Sequence, residues 1–373
     1  MIIGIDGNEA NLKKRVGIGE YSYELLCNLA KLNTENTEFR IYLKDKPVLD
    51  LPPKNDRWKY RILKPGKAWT QWRLPLDLYL DRKKPDVFFT PSHYAPRFSP
   101  IPTVISVMDL SYIHFPKLFN SHDLYQLKNW TAYSVKKAAT ILTISKSSKN
   151  DIINEYKVPA ERVIVTYPGY KEVKTLTPRV YGMNQLKTKY NISDNFILFV
   201  GTLQPRKNIS RLIEAVSLLE EKNIELVIVG KRGWLFEEIL ETPKRLNIEK
   251  RVKFLENVND EDLMELYSKA KCFVLPSLYE GFGLPVIEAM KAGCPVITSN
   301  VSSLPEAGGD ACLYVDPEDT GDIAAKISEL INNQKLRKKL IAKGHKQVMK
   351  FSWRKTAEQT LKVLKDLGGD YEK

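Results

Sequence analysis

One stretch, from Lys271 to Gly293, restricts the fold more than any other part of the chain. Its apolar run Cys272-Phe273-Val274-Leu275 suits a strand buried on both faces. A glycine turn follows at Gly281 and Gly283. Pro285 then fits a first helical turn and Gly293 a C-terminal stop, so the spacing predicts a helix from about Leu284 to Ala292. The backbone N–H groups at Phe282, Gly283 and Leu284, with the positive end of that helix behind them, make a site suited to phosphate. Glu280 lies on the turn and Glu288 about one turn into the helix. Carboxylates accept hydrogen bonds well from vicinal hydroxyls. The pair therefore suits a nucleotide sugar, with one Glu on the sugar and the other on the ribose. The plainer reading of two such acids, stabilisation of the helix dipole, fits an isolated pair better than this whole segment.

The same alternation of strand and helix extends through both halves of the chain. Residues 2–5, 39–43, 87–90, 103–107, 140–143 and 162–166 read as strands in the first half, and Ile18, Tyr21, Ser22, Leu25, Leu26 and Leu29 have helical spacing. In the second half, residues 196–200, 226–229, 252–255, 295–298 and 312–315 read as strands, the first two ending at Gly201 and Gly230. Asn208 is placed to cap a helix whose apolar face is Ile209, Leu212, Ile213, Val216 and Leu219. Such alternation predicts an α/β fold with parallel, doubly wound sheets and ligands at the carboxyl ends of the strands. At 373 residues the chain suits two domains, over 1–175 and 190–350, with a linker where periodicity weakens around 171–190 and a helical tail from 352 to 367.

The segment Glu280-Gly281-Phe282-Gly283-Leu284-Pro285-Val286-Ile287-Glu288-Ala289-Met290, continued by Gly293 and Pro295-Val296, resembles the E-x7-E signature of retaining glycosyltransferases of family 4, in the mannosyltransferase-like group 1. The resemblance implies the GT-B fold: two Rossmann-like domains across a cleft, the first for the acceptor and the second for the nucleotide-sugar donor, with a C-terminal helix over 352–373 crossing back to the first. It implies a hexosyl group taken from a GDP- or UDP-sugar, with no further cofactor and no metal, by front-face substitution onto a glycan, a lipid-linked acceptor or another hydroxyl. By the same likeness Glu280 meets the transferred sugar and Glu288 the ribose. Pro205-Arg206-Lys207-Asn208, after Gly201, matches the segment whose cations hold the donor diphosphate. Two cations at a helix start oppose the dipole preference, which independently asks for a compensating anion. Gly17 and Gly19 match a glycine pair that faces donor phosphate and acceptor. Asp109 matches a polar residue at the reaction centre and reads equally well as a turn cap. Many members place a histidine directly before that aspartate; here the position is Met108.

Composition narrows the partners. The net charge is +13, and residues 1–200 hold 31 Lys and Arg against 19 Asp and Glu, while 201–373 hold 27 against 26. A basic first half reads as an ordinary solvated face, or as attraction to lipid headgroups or a phosphate-bearing acceptor, the latter placing the protein at the inner face of the cell membrane. No nucleic-acid motif accompanies the charge. The N-terminus opens on a strand rather than a signal peptide and no apolar run is long enough to span a bilayer, which predicts a cytoplasmic protein. Four scattered cysteines and four scattered histidines predict reduced core thiols and no zinc site. Asp260-Glu261-Asp262 imitates a metal motif, but its place before a helix over 263–269 predicts capping acids. Glu256-Asn257-Val258 is expected near the base on the strength of the resemblance. Trp69, Trp72 and Trp130 read as acceptor surface or, more commonly for such residues, as core. Two other classes stay open at this point: a nucleotide-sugar epimerase, which needs an acid/base set, and a non-catalytic module for anionic surfaces.

Overall fold

The computed structural model describes residues 1–32, 34–170 and 183–369. They divide into two compact units, Met1–Gly169 with Ser352–Lys373, and Tyr170–Phe351. Each unit is built on one parallel sheet.

In the first unit the strands are β1 (Ile2–Asp6), β2 (Glu38–Leu43), β3 (Trp58–Ile62), β4 (Val87–Thr90), β5 (Thr103–Ser106), β6 (Thr140–Thr143) and β7 (Val163–Val165), in the order β3-β2-β1-β4-β5-β6-β7. Every pairing is parallel. Strands β1, β4, β5 and β6 are buried at every position because helices cover both faces. The edge strand β3, Trp-Lys-Tyr-Arg-Ile, is absent from the sequence reading. Its Lys59 and Arg61 point to Glu38 and to Asp77 and Asp81, so charge interrupts the apolar run that marks the other strands.

The second unit holds β8 (Phe196–Val200), β9 (Glu225–Val229), β10 (Val252–Leu255), β11 (Phe273–Leu275), β12 (Val296–Ser299) and β13 (Cys312–Val315), in the order β10-β9-β8-β11-β12-β13. The strand order reverses between β1 and β4 in one sheet and between β8 and β11 in the other, and those switch points open the crevices where doubly wound sheets take their ligands.

Residues 171–182 of the expected linker lie outside the described residues, and the rest of it, Met183–Tyr190, is a helix of the second unit. Lys189 and Tyr190 both bond Asp262, which is buried in the first turn of the helix Asp260–Lys269. The three acids are thus inside that helix rather than before it. Asn259 is the cap, accepting from the Asp262 N–H at 2.7 Å.

The C-terminal helix Trp353–Gly369 packs on the helix Ile18–Lys31 and on β4. Trp353, Ala357, Leu361 and Leu364 join Ile3, Leu25 and Val87 in one apolar core, and the Trp353 ring meets Tyr21 edge-on at 5.7 Å. Gly169 lies so close beneath this helix that a Cβ there would sit 2.2 Å from the Trp353 nitrogen. Cys272, Cys294 and Cys312 are buried free thiols, and Cys27 is half-buried.

Candidate active site

In the second unit, β8 ends at Val200 and the chain turns through Gly201 to Gln204, then makes a single 3-10 turn at Pro205–Lys207 before the helix Ile209–Leu218. Asn208 is not the side-chain cap the sequence suggests. Its backbone is left-handed at φ 60° and its amide donates to the Pro276 and Pro317 carbonyls at 2.9 and 2.6 Å, tying this turn to the loops after β11 and β13. Lys207 and Arg206 therefore precede the helix in a tight turn fastened against the segment Pro276–Glu280.

The compensating anion that the two cations call for is Glu280 itself. Lys207 Nζ lies 2.6 Å from Glu280 Oε1 and Arg206 Nη1 3.2 Å from Oε2, with Lys207 and Glu280 almost fully buried. Ser277 Oγ donates to Oε1 at 2.7 Å, and Arg206 also donates to the Tyr279 carbonyl. Burial pushes the Glu280 carboxyl up, but Lys207 and Arg206 beside it, with hydrogen bonds from Lys207 and Ser277, outweigh it and hold the pKa at about 2. Two positive charges against one negative leave a net positive charge here.

Two residues missed by sequence reasoning fix the backbone of Glu280. Its N–H donates to Ser302 Oγ at 3.0 Å, and Ser303 Oγ donates to its carbonyl at 2.7 Å. Both serines follow β12, a neighbour of β11 only in space. Ser302 is held at φ 53°, an unusual conformation for a residue with a side chain. Replacing fully buried Ser303 by alanine is expected to lower stability by about 1–3 kcal/mol, because the Glu280 carbonyl loses its partner, as urea unfolding would measure.

The helix Leu284–Lys291 begins at Gly283, whose φ of 100° disfavours any side chain and which supplies no side-chain cap. Pro285 has no N–H and the Val286 N–H donates to the Gly283 carbonyl at 2.9 Å, so the Gly283 and Leu284 N–H groups are the ones nearest the helix start. Phe282 is buried against Phe351, with ring centroids 5.1 Å apart. Glu288 is half-buried one turn in, accepting from the buried Tyr267 hydroxyl at 3.3 Å. Gln204 Oε1 and Ser299 Oγ, at the carboxyl ends of β8 and β12, are buried without a hydrogen-bond partner. Glu256 is paired with Arg232 at 2.8 Å on the surface after β10.

In the first unit, Gly17 starts the helix Ile18–Lys31 at φ 53°, ψ −116°, and a Cβ there would meet nothing within 4 Å. The position requires glycine for its backbone angles and leaves the helix N-terminus open to close approach. Gly19 is buried, with the Glu9 carbonyl 3.3 Å from where a Cβ would stand. Asp109 accepts from the Ser111 N–H at 2.8 Å and so forms a turn before the short helix Ser111–His114. Met108 packs against the apolar core of the unit. Its side chain therefore gives the site no imidazole, but His93 stands after β4, the strand next to β5. Burial lowers the His93 pKa to about 4, against the opposing charge of Asp109, and its Nδ1 is buried without a hydrogen-bond partner. Its ring meets Tyr94 edge-on at 4.5 Å, and Tyr94 in turn meets Trp130. The signal was present as Ser92-His93-Tyr94, polar groups directly after a predicted strand at the switch point.

Two parallel doubly wound sheets, one carrying a turn with two cations beside a helix start without a side-chain cap and two carboxylates, define a sugar-nucleotide transferase of the GT-B fold. The chain belongs to the family 4 glycosyltransferases and is a hexosyltransferase. Residues 184–347 match the family described as glycosyl transferases group 1, and residues 17–173 match glycosyltransferase family 4. The chain is 31% identical over 367 residues to the O-antigen chain mannosyltransferase B of Escherichia coli, an alignment spanning 94% of this chain and 96% of that one. Among solved structures it resembles sucrose-phosphate synthase of Thermosynechococcus elongatus, with a TM-score of 0.73, 18% identity and 99% of each chain covered. It resembles Anabaena HepE in complex with UDP to a similar degree, with a TM-score of 0.72, 19% identity, and 98% of this chain and 99% of that one covered. Membership of this family sets aside the epimerase and the non-catalytic module.

Proposed function

We propose that the protein is a retaining, metal-independent mannosyltransferase that moves a hexosyl group from a GDP- or UDP-sugar to a hydroxyl of a growing glycan. The observation that carries this reading is the Arg206–Lys207–Glu280 triad, with its net positive charge, three residues from the uncapped helix start at Gly283. A donor diphosphate fits there, with Arg206, Lys207 and the N–H groups around Gly283 and Leu284 taking up the charge that develops as it leaves. The acceptor oxygen forms its bond to the anomeric carbon on the face from which the diphosphate departs, the bond from that carbon to the phosphate oxygen breaks, and the departing oxygen takes the acceptor proton. In the same reading Glu280 orients the sugar, Glu288 meets the ribose and Gly201 lets the backbone approach the donor. In the first unit, Gly17, Gly19 and Asp109 serve donor phosphate and acceptor. Mannose as the sugar is supported by the E. coli mannosyltransferase relative, and UDP as one base by its presence in HepE. The basic first half supports an anionic or lipid-linked acceptor and work at the cytoplasmic face of the membrane. Among the described residues no helix is long and apolar enough to cross a membrane.

Thermal unfolding with GDP, UDP and their mannose and glucose conjugates, in the presence of EDTA, tests the reading. At ligand about 100-fold above its dissociation constant the native state gains about 2.7 kcal/mol, and one base is expected to give that shift. Loss of the shift in Glu288→Ala assigns it to this site. No shift with any of these nucleotides overturns the donor site.

A further inference from the structure

The segment Trp69–Leu80 runs as a π-helical turn, Trp69–Arg73, followed by the helix Leu74–Leu80. Its inner face is fixed: Trp69, Leu74 and Leu78 sit in an apolar core with Tyr42, Leu63 and Phe88. Its outer face is apolar too. Trp72, Leu76, Tyr79 and Leu80 are 74%, 54%, 52% and 72% exposed, at positions i, i+4, i+7 and i+8, so they line one stripe. A helix apolar on both faces is ordinarily covered on both. The one acid within it, Asp77, is buried and held by Arg61 and Arg73.

Cations rim the stripe. Residues 54–84 hold ten Lys and Arg against three Asp, and Asp77 and Asp81 are both taken by arginines. Lys67, Arg82, Lys83 and Lys84 are exposed, with Lys84 Nζ 5.9 Å from the centre of the Tyr79 ring. An exposed Trp and Tyr among leucines, edged by lysine and arginine, is what the boundary between headgroups and acyl chains accepts: the apolar stripe enters and the cations meet anionic headgroups. A second copy of the chain is disfavoured, since a two-fold contact would set one cationic rim against the other. A soluble polyanion would satisfy the cations and leave the stripe in water.

We propose that Trp72, Leu76, Tyr79 and Leu80 insert into an anionic lipid surface and that Lys67, Arg82, Lys83 and Lys84 hold them there. The proposal deepens the membrane element of the functional reading by giving it one docking element, and it stands apart from the donor site. Flotation of the full chain with vesicles of phosphatidylcholine alone, or mixed with phosphatidylglycerol, tests it without any nucleotide. Binding to the mixed vesicles only is expected. It should weaken at least about tenfold in the variant Trp72→Ser with Leu76→Ser and Leu80→Ser, and fall with rising salt in the wild type. A blue shift of tryptophan emission on binding should shrink in Trp72→Phe. All these positions are exposed, so the triple variant is expected to keep its unfolding midpoint and its nucleotide-induced thermal shift; a lost nucleotide shift in the wild type would count against the donor site and not against docking. The proposal is overturned if the wild type ignores the mixed vesicles, if the triple variant binds them equally, or if the wild type is a dimer that the triple variant makes monomeric.

Discussion

Lys207→Ala is expected to cut turnover by about 10²–10³-fold and to destabilise the second unit by about 1–3 kcal/mol. The two losses have different origins. Lys207 is the nearer of two cations on Glu280, at 2.6 Å against 3.2 Å for Arg206, and both members of the closer pair are almost fully buried. Removing it leaves the buried carboxylate with Arg206 at 3.2 Å and Ser277 at 2.7 Å as partners, and a site with no surplus charge for a departing diphosphate. Pairing Lys207→Met with Glu280→Gln separates the ammonium from the net charge, because the double variant loses Lys207 Nζ yet keeps Arg206 and with it the site's surplus of one positive charge. Urea unfolding and initial rates on the two variants would show whether they diverge in this way. Acid provides a second readout. The Glu280 pKa is lowered from 4.5 to about 2, so its contribution to stability is complete above about pH 4.5 and is lost as pH falls towards 2. In Lys207→Ala the carboxyl rises, and acid unfolding should begin at a higher pH than in the wild type.

Gly230→Ala is expected to destabilise the protein by about 3 kcal/mol or more and to weaken nucleotide binding in the molecules that remain folded. A Cβ on Gly230 would stand 1.9 Å from the Gly201 carbonyl oxygen, and backbone cannot swing aside as a side chain can. Gly201 is itself bonded to β9, its N–H donating to the Val229 carbonyl at 2.9 Å, so the clash falls on the turn that carries Arg206 and Lys207. Equilibrium unfolding and a nucleotide titration on Gly230→Ala and the wild type would give the comparison.

The strands with their helices were legible because burial on both faces leaves unbroken apolar runs, and Phe196–Val200 was readable to the residue. Strand β3 was not, since an edge strand keeps solvent-facing cations. Glu280, Glu288, Arg206 and Lys207 were visible as motif residues, but the ion triad was not: it joins loops some seventy residues apart, and a charge conflict read locally at Arg206 and Lys207 cannot say which anion resolves it. Ser302 and Ser303 hold Glu280 from a third loop and carry no local signature, because serine in a loop is unremarkable until its partner is known. Residue type alone reads Trp72, with Trp69 and Trp130, as acceptor surface or core. Only its place on the outer side of a helix whose inner side is already filled shows it to be solvent-facing.

The return of the chain at Ser352 has a consequence for synthesis. Multidomain chains ordinarily complete their N-terminal domain first as they leave the ribosome. Here that order is inverted. Residues 170–351 are contiguous and have every strand of their sheet once Val315 and the helices behind it have emerged. The unit begun first must wait for the C-terminal helix, because Trp353, Ala357, Leu361, Val363 and Leu364 join the apolar core it shares with the first helix and β4. A chain cut short at Phe351 would therefore keep every residue of the second unit and leave the first one unsealed.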